Sequence, residues 1–381
     1  MTRSPVRTSA VVMLAAVVLC ATGGALEAGP INPPAGPVAP TPGPEPRIAI
    51  NAVNTPGDAD SLFRITQPGS YYLSGNITGV VGKRGIVITS GGVTIDLNGF
   101  ELRGVATPGF GYDGIRTAGV GETNITVLNG SVRGWSGNGL EIGANLMKGS
   151  IVRGVTASEN GGDGIVVGNG SVVTECTASD NLGDGFRVSS GSTITACSAY
   201  NNGTDGIEGS NNCTITGCTA GTNNGDGIKA GFASKITACS SYVNEGVGIA
   251  GTDYGVSITD CSSRGNDDHN ISVTHHSLVR GNLCSAINTQ TTGAGIYVSN
   301  DNNRIEGNHC IDAVKGIQVD GVSNVIIGNT CADNNVNYDI AANNIYGAIV
   351  NRVGAVTAAV NGSGAAISTM GSSDPHANFS H

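Results

Sequence analysis

The stretch GDGFRVSSGSTITACSAYNN, from Gly183 to Asn202, comes back one interval later with little change. From Asp205 the chain reads DGIEGSNNCTITGCTAGTNN, and from Gly225 it reads GDGIKAGFASKITACSSYVN. Two steps recur: Asp-Gly-apolar, and Ile-Thr-x-Cys. Following the apolar residue of the first step outward gives Ile115, Leu140, Ile165, Phe186, Ile207, Ile228, Ile249, Ile271, Ile296, Ile317 and Ile340. A second apolar residue often stands two places on (Ile142, Val167, Val188, Val273, Val298, Val319), which is the alternation of a strand.

A second register runs beside the first. Val152, Val173, Ile194, Ile215, Ile236, Ile258, Val279, Ile305 and Ile326 begin another short strand in each copy. Three places later stand Val155, Cys176, Cys197, Cys218, Cys239 and Cys261, and then Asn282, Asn308 and Asn329. Where asparagine takes the slot, cysteine moves two residues on (Cys284, Cys310, Cys331) and stays on the same face. An inward amide in a stacked slot implies a ladder bonded to the coils above and below.

Strands this short, with turns of Asn, Gly, Asp and Ser, cannot bury an apolar face alone. Stacking successive copies makes continuous parallel sheets around a thin core. The period near 21 and the lack of a hexapeptide pattern predict an all-β, right-handed parallel β-helix. About ten coils would make a rod on the order of 50 Å long. Composition agrees: 60 glycines and only 4% aromatic residues suit a narrow core of small side chains.

The flanks read differently. Arg3, Arg7 and the apolar run AVVMLAAVVLCAT predict a signal peptide over 1–25, too short an apolar stretch to span a membrane. Eight prolines between Pro30 and Pro46 predict an extended linker over 26–47. The β-helix with its N-terminal cap is expected over 48–345, and a Gly/Ala/Ser-rich tail that docks on the last coil over 346–381. These flanks imply a secreted, periplasmic or cell-surface protein with no transmembrane segment in its mature chain. The formal net charge of -10 and the absence of a Lys/Arg cluster exclude a nucleic-acid-binding surface.

The repeat rhythm over about 86–345 resembles the parallel β-helix repeats of the pectin-lyase-like superfamily. The opening SLFRITQPGSYYLSGNITG, followed by GIVITSGGVTIDLNGFELRG, is similar to the start of exported bacterial β-helix-repeat proteins. There such a segment covers the first coil. The resemblance implies the fold and a polysaccharide partner. In the enzymes of that superfamily the sheet carrying the Gly-Ile step borders the substrate groove.

Candidate chemistry lies in four places. Asp163, Asp184, Asp205 and Asp226 precede the glycine of four consecutive coils, and stacked acids suit a row of Ca²⁺ ions. Asp-Gly is also ordinary turn chemistry, and Asn138 in the same slot favours that reading. No cofactor is required on either reading. On the outward face of the Gly-Ile strands, Arg187 and Lys229 are placed to meet substrate, with Glu208 between them. Tyr200 and Tyr242 fall on one face with Gly221 between them, leaving a flat patch for a sugar.

The segment GNDDHNISVTHH, residues 265–276, is the most chemically loaded. Asp267 and Asp268 resemble the paired acids of polygalacturonase-like hydrolases, without the Gly-His-Gly and Arg-x-Lys partners of that family. Stacking register puts His275 beside Asp253 of one neighbouring coil and Asn300 of the other, with His276 next in line. Asp374-Pro375-His376 resembles part of the alginate-epimerase motif but lacks its preceding Tyr-Gly. Nine cysteines remain after the leader, in stacked core slots that suit buried free thiols better than disulfides or metal. The expectation is a non-catalytic β-helix that binds or displays at a glycan surface. The alternative is a lyase, hydrolase or epimerase with its site on the Gly-Ile sheet.

Overall fold

A computed structural model describes residues 47–105, 111–119, 122–143, 149–286, 293–351 and 374–381. The expected signal peptide, all but the last residue of the linker, and residues 352–373 of the tail lie outside the described residues. The described residues are strands, turns and bends, and no helix among them is long and apolar enough to cross a membrane.

Every coil follows one plan, seen in the coil that starts at Ile207. Ile207–Gly209 joins the Gly-Ile sheet, Thr214–Thr216 and Thr219–Gly221 form two further faces, and the chain then climbs to Ile228–Ala230. Each strand pairs in parallel with its equivalent in the next coil. The Gly-Ile sheet has thirteen strands, from Ser61–Ile65 to Val336–Ile340, so the solenoid has about thirteen coils rather than ten. The two additional coils, carrying Ser61–Ile65 and Arg84–Ile88, lie at the start, ahead of Ile115 where the count of the repeat began. At the other end Tyr338, not Ile340, stands opposite Ile317.

The corners explain why such short strands suffice. Each coil bends at residues with left-handed backbone: Asn212, Gly217 and Thr222 in this coil, and Ala233, Ala238 and Val243 in the next. One left-handed residue turns the chain sharply without a loop, so adjoining faces remain in register. Val243 is β-branched and holds φ 53°, where its neighbour one coil earlier is Thr222 and two coils earlier Asn201.

Inside, the Gly-Ile column from Ile86 to Ile317 and the second column from Ile95 to Ile326 are buried. A buried amide ladder lies beside them. Asn160, Asn181, Asn202, Asn223 and Asn244 each donate Nδ2–H to the Oδ1 of the asparagine one coil on, ending on Asn266, at 2.8–2.9 Å. This ladder repeats at 21 or 22 residues in the sequence but went unread, because asparagine in a turn also serves as plain turn chemistry. The expected ladder at Asn282, Asn308 and Asn329 is present, at 3.0 Å per rung, and Asn282 accepts the Cys261 N–H. Its next rung is Asn378, from the far end of the chain. All nine cysteines among the described residues are buried and free, and burial holds the Cys213 and Cys310 thiols above their usual range.

Candidate functional site

The outward column of the Gly-Ile sheet is in the expected order. Arg116, Glu141, Val166, Arg187, Glu208, Lys229, Ala250, Ser272, Tyr297, Gln318 and Asp339 stand opposite one another coil by coil. What occupies that column changes along the rod.

In the first half the acids and bases satisfy one another. Oδ1 of Asp163 accepts the Asp184 N–H, Asp184 accepts Asp205, Asp205 accepts Asp226, and Asp226 accepts Val247, at 2.7–3.0 Å. Asn138 does the same for Asp163. The second oxygen of Asp163 meets Arg187, and that of Asp205 meets Lys229 Nζ at 3.2 Å. Burial holds the carboxyls of Asp163 and Asp226 above the usual range. The four aspartates are thus rungs of a turn ladder, and Arg187 and Lys229 are their counter-charges. Among the described residues no group of three or more His, Cys, Asp or Glu side chains is placed to hold a metal ion. A shallow depression of about 350 Å³ lies here, lined by Asn138, Glu141, Val166, Arg187 and Ser189. Burial, and then Asp113, raise the Glu141 carboxyl.

The tyrosine patch is also different from its expectation. Tyr200, Gly221 and Tyr242 are in register, but the Tyr242 ring lies over Gly221, where even a Cβ would come within 2.3 Å of it. The gap is filled by protein, and Tyr200 alone is well exposed.

The second half carries rings. The expected pair of His275 with Asp253 does not form. His275 stacks on Tyr254 instead, with centroids 4.5 Å apart and planes 8° from parallel, and Asp253 Oδ1 accepts the Tyr254 N–H at 2.7 Å. Gly255 and His276 hold equivalent left-handed corners, which sets Tyr254, not Asp253, level with His275 and puts Asp253 against Thr274. His276 sits at φ 51°, 5.5 Å from the Tyr254 ring, and meets Asn302 at 3.4 Å. His309 lies on another face, in His309–Ile311.

The central cluster was missed. His269 stacks on Tyr297 at 4.3 Å, across one coil boundary. Its Nδ1 accepts the Ala294 N–H at 3.0 Å, so a neutral ring carries its proton on Nε2, which faces Asp268 Oδ1 at 3.4 Å. Burial lowers the imidazole's affinity for a second proton. The Tyr297 hydroxyl donates to Asp320 Oδ2 at 3.0 Å, and burial followed by that carboxylate hold the phenol above its usual range. Asp267 is exposed beside Asp268, and Lys315 is engaged by Asp339 at 2.7 Å. Ser272 and Ala250 leave small side chains between this cluster and the Tyr254–His275 stack. The result is a low strip of sheet with a ring pair on either flank. The sequence signal was present, since Tyr297 was in the outward column and His269 in the DDHN run. The coil from Ile271 to Ile296 spans 25 residues, and this hides the contact from a 21-residue count.

At neutral pH this cluster offers donors and ring surface. Neither ring has a free basic atom: Nδ1 of His269 is engaged, its Nε2 bears a proton, and the phenol is protonated. Such a group binds hydroxyls and apolar sugar faces well and removes a proton poorly.

Comparison with known proteins bears on the fold. A family model described as "Right handed beta helix region" matches residues 73–238. Among solved structures, the A-module of the Azotobacter vinelandii mannuronan C-5 epimerase AlgE6 superposes with a TM-score of 0.56 at 16% identity, covering 70% of this chain and 87% of that one. The AlgE4 A-module of the same organism gives 0.51 at 17%, covering 68% and 91%. A tailspike protein of E. coli bacteriophage HK620, solved with a pentasaccharide, gives 0.54 at 12%, covering 69% of this chain and 60% of that one. No curated protein matches the sequence significantly.

Proposed function

We propose that this right-handed parallel β-helix binds polysaccharide on the Gly-Ile sheet without transforming it. The observation that carries this reading is the His269–Tyr297 ring pair, whose polar atoms are fixed by Ala294, Asp268 and Asp320. A sugar ring would lie on the strip over Ser272 and Ala250, donate hydroxyls to the carboxylates of Asp268 and Asp320, and pack its apolar face against Tyr297 or Tyr254. The acids around the strip repel polyanions, so the ligand class is a neutral or amino-bearing glycan at an extracellular or cell-surface site. Export by the expected signal peptide is part of this proposal.

The structural neighbours support a glycan partner, since one acts on mannuronan and another was solved with a pentasaccharide. They favour the enzymatic alternative equally, with Asp267, Asp268 and the histidines at its centre. The test is to incubate the mature protein with neutral and acidic polysaccharides in Ca²⁺, measuring retention in affinity gels and the size profile of the polymer. Retention on a neutral gel with chain length and composition unchanged is the expected result. Shortened or epimerised chains, lost in His269→Ala, would replace it with the enzyme reading. No retention on any gel would remove both.

A further inference from the structure

The ring pair stands where the first half of the rod keeps an acid and a base. Asp163 lies just ahead of the Gly-Ile step of its coil, and the base that meets it, Arg187, is the outward residue of the next coil. Asp205 and Lys229 repeat that relation. His269 and Tyr297 hold the same two places, one ahead of Ile271 and the other outward in the next coil. The match extends to the backbone. Oδ1 of Asp163 accepts the Asp184 N–H, and Nδ1 of His269 accepts the Ala294 N–H. A neutral ring has taken the acid's rung, and a phenol has taken the place of the base.

Bases thin out in this half, but acids do not. Among the described residues, the five Gly-Ile strands from Ile249–Gly251 to Val336–Ile340 carry one basic side chain, Lys315, and Asp339 engages it at 2.7 Å. Arg264, Arg280 and Arg304 stand in strands of the other faces. Against Lys315 stand Asp339 and, in the adjoining turns, Asp253, Asp267, Asp268, Asp301 and Asp320. Two of these carboxylates lie at the edges of the ring pair. Asp268 faces His269 Nε2 at 3.4 Å, and Asp320 accepts the Tyr297 hydroxyl at 3.0 Å and the Gln318 amide at 3.0 and 3.2 Å. The first half shows how this sheet seats an ammonium: Lys229 Nζ lies 3.2 Å from Asp205 and 3.6 Å from Glu208.

We propose, resting on the glycan reading above, that the sugars bound on this strip carry free amines. Their ammonium groups meet Asp268 and Asp320 and do there what Arg187 and Lys229 do for the acids of the first half. Charge complementarity selects the class. A sugar with only hydroxyls or acetylated amines leaves six carboxylates around one base, whereas an amino sugar offsets that excess. The Tyr297 ring adds to the attraction, since the face of an aromatic ring is negative.

The experiment titrates the protein by calorimetry with a glucosamine hexamer and with its fully N-acetylated counterpart, at a pH of about 6, where aspartates are ionised. The amine form should bind at least about tenfold more tightly, and raising the salt should narrow that gap. Asp268→Asn with Asp320→Asn should bring the two forms within about twofold of each other, since an asparagine oxygen still accepts a hydroxyl but carries no charge. Asp180→Asn with Asp312→Asn makes the same charge change elsewhere. Both sites are exposed left-handed corners, where asparagine fits, and the gap should survive there. Equal affinity for the two hexamers overturns the amine proposal and leaves the glycan reading standing. A gap that survives Asp268→Asn with Asp320→Asn overturns the assignment to these carboxylates. If neither hexamer binds, the amine proposal falls, and the gel panel above decides the glycan reading separately.

Discussion

The coils from Ser150 to Gly246 and those from Val247 to Ile340 share corners, sheets and core, yet their surfaces differ. In the first set the repeat is nearly uniform, and Asp163, Asp184, Asp205 and Asp226 are each committed to a backbone N–H one coil on. In the second set the spacing is uneven, that Asp row gives out at Val247, and aromatic and imidazole rings take the surface. The lesson is that regularity and recognition compete for the same positions. A side chain that stabilises its neighbours by repeating cannot also turn outward to a ligand.

The contrast can be tested by stability and by binding. The largest effect should come from Asn202→Ala, which leaves Asn181 and Asn223 with unmet buried groups. A loss of about 3 kcal/mol in urea unfolding is expected. Next, His269→Ala with Tyr297→Ala should weaken glycan binding about tenfold, or about 1.4 kcal/mol, with the fold intact. Arg187→Ala should change binding less than twofold, and a larger effect would move the site to the first set of coils. Val243→Asn should stabilise the rod by about 0.5–1 kcal/mol, since asparagine tolerates the left-handed corner that valine resists.

Acid should act on the ring cluster too. The His269 imidazole binds its second proton less readily in the folded protein than in the unfolded chain. Its contribution is therefore present above the ordinary imidazole range near 6.5 and is lost as pH falls through that range and below. His269→Gln should flatten that part of a stability-versus-pH curve, and an unchanged slope would refute the assignment. The smallest effect is reserved for Arg187→Ala on stability. Its pair with Asp163 is about half exposed on the arginine side, and a change within about 0.5 kcal/mol is expected.

The fold was legible because its cause is periodic. Gly-Ile and Ile-Thr-x-Cys steps recur at a spacing that only stacking satisfies, and the shift from Cys176-type to Asn282-type slots was readable as a ladder. The first coils went uncounted because Phe63 follows Leu62 rather than a glycine and Ile86 has Arg84 where the repeat has Asp, although both stand in the column of Ile115. The site was legible only in outline. The run from Gly265 to His276 was singled out as the most chemically loaded, and its His269, His275 and His276 all make ring contacts in the structure. Which ring meets which depends on the corner geometry around Tyr254 and on the long coil before Ile296, and no residue count supplies those. Tyr242 teaches the same point: register placed it correctly, but the direction of its ring decided whether the patch was open.

The left-handed corners have a consequence for how such a molecule changes length. Because each corner is made by a single residue and each rung bonds only to the adjacent coil, a 21-residue unit such as 183–203 is a closed module. Duplicating it in frame should add one rung of about 4.8 Å and leave the distance from the ring cluster to the Asn329–Asn378 rung untouched. The protein is in that sense a ruler whose graduations can be multiplied. The uniform coils set the reach, and the uneven ones set what is reached for.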